Sequence, residues 1–214
     1  RLARDLGINL LDTAPAYGSS QARLGRLIGD TRKDWIIVSK VGEIFEHGES
    51  RFDFSYQGTI DTVEQSLRTL RTDYLDCVLV HSDGDDLGIF AKGGAVEALC
   101  ELKQRGLIRA HGMSSKTVDG GLRTVAELDV VMATCNLDYN DELAVLEAAA
   151  QQSKGVLIKK GLMSGHIQGN DGVERAFAHV FAQPGVSSMI VGTINPDHLR
   201  SNVVTLQRAL ATLA

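Results

Sequence analysis

The chain is short of several things, and each shortage closes off a class of explanation. It has three cysteines in 214 residues, Cys77, Cys100 and Cys135. They are odd in number, far apart and set in apolar runs. That pattern supports neither a disulfide framework nor a zinc site, so they read as small packing residues in a reducing cytoplasm. Positive charge is also scarce, with 22 lysines and arginines against 27 acids and a net charge of −5. Without a basic stripe, nucleic acid and anionic membrane are excluded as partners. No apolar stretch reaches the roughly 20 residues of a membrane helix, and the opening residues are not expected to be a signal peptide. The hydrophobic share of 43% and charged share of 23% are ordinary, so residues 1–214 are expected to form one folded α/β domain without disorder.

What stands out instead is where the ionisable residues fall. Three apolar runs end in one: residues 7–11 in Asp12, residues 35–39 in Lys40 and residues 75–80 in His81. A buried parallel strand is apolar throughout, and a charge at its carboxyl end sits where α/β barrels and open α/β sheets place catalytic groups. Just after the first run, Tyr17 adds a phenol. Four further strand-type runs lie at residues 108–113, 130–135, 155–159 and 188–191. Helical spacing fills the intervals, as at Ile60, Val63, Leu67 and Leu70, at Val96, Leu99 and Leu102, and at Leu143, Leu146 and Ala150. Such alternation predicts βα units around a parallel sheet.

Residues 2–7 read as the tail of a helix capped by Gly7, with no strand before it. Eight strands close a barrel, whereas seven leave exposed edges. The expectation is therefore a (β/α)8 TIM barrel lacking its amino-terminal strand in this chain; an open seven-stranded sheet is the alternative.

A phenol is a poor acid near neutrality, its ordinary pKa being about 10. An ammonium within hydrogen-bond reach favours the phenolate and makes the phenol a usable proton donor. Asp12 would steady Lys40, and His81 would orient a carbonyl oxygen beside Tyr17. The set suits proton delivery to a carbonyl under reduction, or removal from an alcohol under oxidation.

These residues also carry a resemblance. The segment 12–21 with Leu24-Gly25, the segment 70–82 around His81, the segment 106–115 and the segment 190–202 together resemble the aldo-keto reductases, in order over nearly the whole chain. The resemblance implies a barrel that binds NADPH, or NADH, and reduces a small-molecule aldehyde or ketone. Tyr17 would supply the proton, assisted by Lys40, Asp12 and His81. It places Ser114, Ser115 and Asn136 near the nicotinamide carboxamide, and Gly192, Thr193, His198 and Asn202 along the adenosine and phosphate end. Lys159 aligns where family members often carry an aromatic that stacks on the nicotinamide. Residues 161–166, opening with Gly161 and Leu162 just after it, either approach the pyrophosphate or use glycine only for the turn.

Each residue has a plainer reading too. Asp12 can be a turn former, Tyr17 a packed loop aromatic and His81 a core histidine; Lys40 is harder to dismiss, because charges are seldom buried unpaired. His47, His166 and His179 have no ligand-like spacing, and the set implies no metal. Residues 51–55, in the loop after Lys40, either line a substrate mouth or form plain surface. Two other functions stay open: a nicotinamide-nucleotide-binding, redox-sensing barrel with little turnover, and a Schiff-base lyase using Lys40, Lys159 or Lys160.

Overall fold

Runs rich in Val, Ile and Leu that cannot satisfy a polar face become central strands, and the amphipathic segments between them become helices. In the computed structural model, which describes residues 1–167, 169 and 171–213, the order is α1 (Leu2–Asp5), β1 (Leu10–Asp12), α2 (Ser20–Leu27), β2 (Ile36–Val41), β3 (Glu43–Glu46), β4 (Glu49–Phe52), α3 (Tyr56–Leu70) and β5 (Leu75–His81). There follow α4 (Asp86–Lys92), α5 (Gly94–Gln104), β6 (Ile108–Ser114), α6 (Val118–Glu127), β7 (Val130–Thr134), α7 (Leu143–Gln151), β8 (Gly155–Lys159), α8 (Gly172–Phe181), β9 (Val186–Met189) and α9 (Pro196–Ala211). The chain divides into two compact units, Asn9–Val131 and Arg1–Ile8 with Met132–Ala214.

In the unit Asn9–Val131, strands β1-β2-β5-β6 lie side by side, each pair parallel. The register places Lys40 opposite Leu79 and His81 opposite Ser114, so the polar ends of neighbouring strands emerge on one edge. Beneath that edge the strand interiors are sealed. Ile37, Val78, Leu79 and Val80 have no accessible surface, and each such side chain contributes roughly 1.5–3 kcal/mol through burial. Helix α3 starts where Ser55 accepts a hydrogen bond from the Gly58 amide at 3.1 Å, buries Ile60, Val63, Leu67 and Leu70, and ends at Arg71 in the left-handed conformation. Helix α6 starts the same way, on Thr117 and the amide of Gly120.

In the second unit the strand order is β7-β8-β9, with β8 and β9 parallel. A register shift between Val156 and Leu157 sets β9 at Val186–Met189, two residues ahead of the run expected at 188–191. Helix α7 turns Val145, Leu146 and Ala149 inward, so Leu143 and Ala150, expected on that face, are only half-buried. Helix α9 opens on Asn195, whose side chain accepts from the Asp197 amide, followed by Pro196 in the first turn.

The loop expected after Lys40 is a structured element. Residues Glu43–Glu46 and Glu49–Phe52 pair antiparallel as a hairpin, which its mostly polar and charged sequence conceals from a search for alternating apolar residues. Of the cysteines, Cys77 and Cys135 are core residues, and burial pushes the Cys77 thiol up to about 12. Cys100 is only half-buried, its Sγ 3.3 Å from Nε2 of His111. Among the described residues no cluster of His, Cys, Asp and Glu could hold a metal, and no helix is long and apolar enough to cross a membrane.

Helices α2 and α3 meet backbone to backbone at Gly25, where an added Cβ would lie 2.3 Å from the carbonyl oxygen of Thr69 and 2.9 Å from Leu70. Neither backbone atom can turn aside as a side chain would. Gly25→Ala is expected to lower unfolding free energy by about 1–3 kcal/mol, read as a lower urea midpoint with unchanged slope.

Candidate active site

The site in the unit Asn9–Val131 begins with the turn after β1. Thr13 is fully buried and its amide bonds the Val38 carbonyl at 2.9 Å, which carries the chain past the edge of β2. Tyr17 closes a tight turn onto the Ala14 carbonyl at 3.1 Å. Buried Gln21 then reaches Ser39 at 2.9 Å and Ser66 at 3.1 Å, tying α2 to the residue before Lys40 and to α3. Part of the segment that looked catalytic is thus a brace.

Lys40 is 2% exposed, and its Nζ donates to Asp12 Oδ1 at 2.6 Å and to the Thr13 carbonyl at 3.1 Å. Burial raises the Asp12 carboxyl above its usual range, against the opposing pull of the Lys40 ammonium and its hydrogen bond. The ammonium lies 4.7 Å from the centroid of the Tyr17 ring. Contact is therefore made with the face of the phenol, and the hydrogen bonds of Lys40 go to Asp12 and Thr13. Tyr17 is 44% exposed. His81 stands edge-on to that ring, with centroids 6.2 Å apart and planes at 89°. The four residues expected from the strand ends are brought together.

Two acids that sequence reasoning did not single out join them. Glu43, the first residue of the hairpin, places Oε2 2.6 Å from His81 Nδ1, while its Oε1 accepts from Ser50 Oγ at 2.6 Å. Asp86, 1% exposed, accepts from Ser82 Oγ, from the amides of Lys116 at 3.0 Å and Thr117 at 2.8 Å, and from Thr117 Oγ1 at 2.6 Å. It fastens the residue after His81 to the loop after Ser114 and Ser115. The signal for Glu43 was its place three residues beyond Lys40; Asp86 had none, because its partners on Lys116 and Thr117 lie 30 and 31 residues away in sequence.

Of the residues assigned to the cofactor, Ser114 ends β6 in register with His81 and Ser115 follows it, both buried. The others lie in the second unit. Asn136 donates to the Lys160 carbonyl at 3.2 Å and accepts from the Asp138 amide at 3.0 Å, so its side chain shapes its own loop. Lys159 ends β8, and half-buried Leu162 follows. At Gly161 a Cβ would meet the Met189 side chain at 2.4 Å, so glycine there serves packing as well. Gly192 and Thr193 lie between β9 and α9, where Thr193 Oγ1 accepts from the Asn195 amide at 3.2 Å. His198 and Asn202 are one turn apart on the first half of α9, His198 exposed and Asn202 half-buried. An exposed histidine, an asparagine and the amide end of a helix are a donor set that fits a phosphate-bearing nucleotide.

The model of the Aldo/keto reductase family matches residues 1–170. An uncharacterized oxidoreductase of Bacillus subtilis, YqkF, is 28% identical over 94% of this chain and 78% of its own length. The D-arabinose 1-dehydrogenase of Saccharomyces cerevisiae is 31% identical over 63% of this chain, which spans only 44% of that enzyme. Among solved structures, a Pseudomonas aeruginosa protein assigned to the aldo-keto reductases superposes with a TM-score of 0.93 at 53% identity, covering 98% of this chain and 81% of the other. The holo form of an aldo-keto reductase from Bacillus halodurans shares the fold, with a TM-score of 0.83 at 23% identity over 100% of this chain and 85% of its own.

The raised Asp12 carboxyl has a measurable sign. A fold that favours the protonated acid gains its full contribution below the ordinary value of 3.8 and loses it as pH climbs through the raised one. In urea titrations from acid towards neutral pH, wild type is expected to lose this increment, and Asp12→Asn, which cannot ionise there, should lack that part of the slope.

Proposed function

Because the chain belongs to the aldo/keto reductase family of oxidoreductases, we propose that it is an NAD(P)H-dependent reductase of small aldehydes and ketones, with residues 1–214 forming one barrel domain and Tyr17 as its proton donor. The observation that carries this reading is the buried Lys40 ammonium, anchored by Asp12 and set 4.7 Å from the Tyr17 ring. An ammonium there stabilises negative charge on the phenol as its proton leaves, and it does so more strongly for being almost wholly withdrawn from water. Asp12 holds the ammonium in place, and the Thr13 carbonyl fixes a second of its three protons. His81 stands beside the phenol to orient the carbonyl oxygen that receives the proton.

When bound, the nicotinamide supplies the hydride that the carbonyl carbon needs. Ser114, Ser115 and Asn136 are the residues we assign to its carboxamide. Lys159, Gly161, Leu162, Gly192, Thr193, His198 and Asn202 are assigned to the rest of the nucleotide, with NADPH as the cofactor and NADH as a second choice. The names of relatives that act on D-arabinose and D-threo-aldose extend the substrate class to the carbonyl or hemiacetal carbon of sugars. Three free cysteines suit a reducing compartment such as the cytoplasm.

Purified full-length protein is expected to oxidise NADPH or NADH when given an aromatic aldehyde. Tyr17→Phe should lower kcat by about 100-fold or more while nucleotide binding, followed by protein fluorescence, is kept. Full turnover in that variant would remove Tyr17 from its role. Tight nucleotide binding by wild type without reduction of any of a broad panel of carbonyls would favour a redox-sensing barrel instead.

A further inference from the structure

We propose that Glu43 is a positioning residue for His81, holding the imidazole through Nδ1 and so deciding which ring nitrogen carries a proton. For its chemical consequence this rests on the reductase reading; its geometry stands independently. Glu43 Oε2 and His81 Nδ1 are 2.6 Å apart. At that separation a bare ring lone pair would repel the carboxylate, so the contact favours a proton on Nδ1; it is a close ion-pair contact rather than an aligned N–H···O hydrogen bond. A carboxylate against one nitrogen also stabilises the doubly protonated ring, in which Nε2 becomes a donor as well, and a donor is what a carbonyl oxygen requires.

The arrangement is built into the fold. Strand β2 ends at Val41, one residue past Lys40, and Gly42 turns the chain with φ of +100°. A side chain at Gly42 would be both strained and blocked, because its Cβ would sit 2.4 Å from the ring of Phe54. The Asp53 amide bonds the Gly42 carbonyl at 2.8 Å and closes the base of the hairpin. Glu43 is therefore the first side chain beyond the turn, and Ser50, on the opposing strand, holds its second oxygen. The Glu43 side chain is 18% exposed and that of His81 21%, so the pair is mostly shielded, unlike a surface ion pair that water would screen. Tyr17 stands edge-on to the imidazole, and Lys40, paired with Asp12, lies against the Tyr17 ring. The Lys40 charge is matched by Asp12, and Glu43 is a carboxylate placed 2.6 Å from His81.

The test combines nitrogen NMR of the histidine rings in labelled full-length protein with the pH dependence of kcat and KM for an aromatic aldehyde. Wild type, Glu43→Gln and Glu43→Ala are compared, and thermal unfolding checks that each is folded. In wild type, His81 should be protonated on Nδ1. Glutamine can accept that proton without supplying charge, so Glu43→Gln should keep the ring state near neutrality while its kcat falls away at lower pH than in wild type. Glu43→Ala should show mixed tautomers and lose about tenfold or more in kcat, with KM little changed, and glutamine should recover most of that loss. A His81 that carries no proton on Nδ1 in wild type, or a ring spectrum unaltered in Glu43→Ala, would overturn the proposal. Should wild type reduce no carbonyl at all, the reductase reading falls, and the ring spectra still decide the role of Glu43.

Discussion

A lysine ammonium almost sealed from water has to be matched, and the 2.6 Å contact between Lys40 and Asp12 is the constraint around which the site in residues 9–131 is arranged. A lone buried charge would cost several kcal/mol or lose its proton. The fold meets this by delivering the two partners from the ends of adjacent parallel strands. The buried acid is itself pushed towards its neutral form, so the pair sits under electrostatic tension, which is common where a group is poised for chemistry. Nearby in the chain, Gln21 bonds Ser39 and Ser66 and so ties α2 to the residue before Lys40 and to α3.

The remaining polar groups follow a division of labour. Tyr17 and His81 are partly open to solvent, while the groups that aim them are buried or shielded: Lys40 and Asp12 behind the phenol, Glu43 beside the imidazole, and Asp86 beneath the loops that follow β5 and β6. Asp86 takes four donors and no cation in this network. Its negative charge is spread over amides and hydroxyls, the usual means of keeping a carboxylate inside a protein.

Much of this was legible in one dimension, for identifiable reasons. Apolar runs that end in Asp12, Lys40 and His81 are rare by composition alone, and a parallel sheet places the ends of its strands on one edge. The helix face of α3 could be read from three-and-four spacing, because Ile60, Val63, Leu67 and Leu70 are all buried; in α5, Leu99 and Leu102 are buried as expected, while Val96 is half-buried and Ala95 and Ala98 complete the face. Reading failed where the signal was not periodic. The hairpin of β3 and β4 presents glutamates, serine and arginine to solvent along most of its length, and so has no apolar alternation to detect. In α7, alanines on every side blur the phase, and the buried face was misplaced by a residue.

Strand ends and order along the chain were enough to put Asp12, Lys40 and His81 at the ends of parallel strands, because a periodic backbone converts sequence position directly into side-chain direction. That the ammonium meets the phenol at its face, that Glu43 reaches the imidazole, that Asp86 binds two loops and that Asn136 is occupied by its own turn were decided only on folding. Each of those contacts joins groups whose distance depends on turn angles and packing, and nothing in the spacing of letters encodes them.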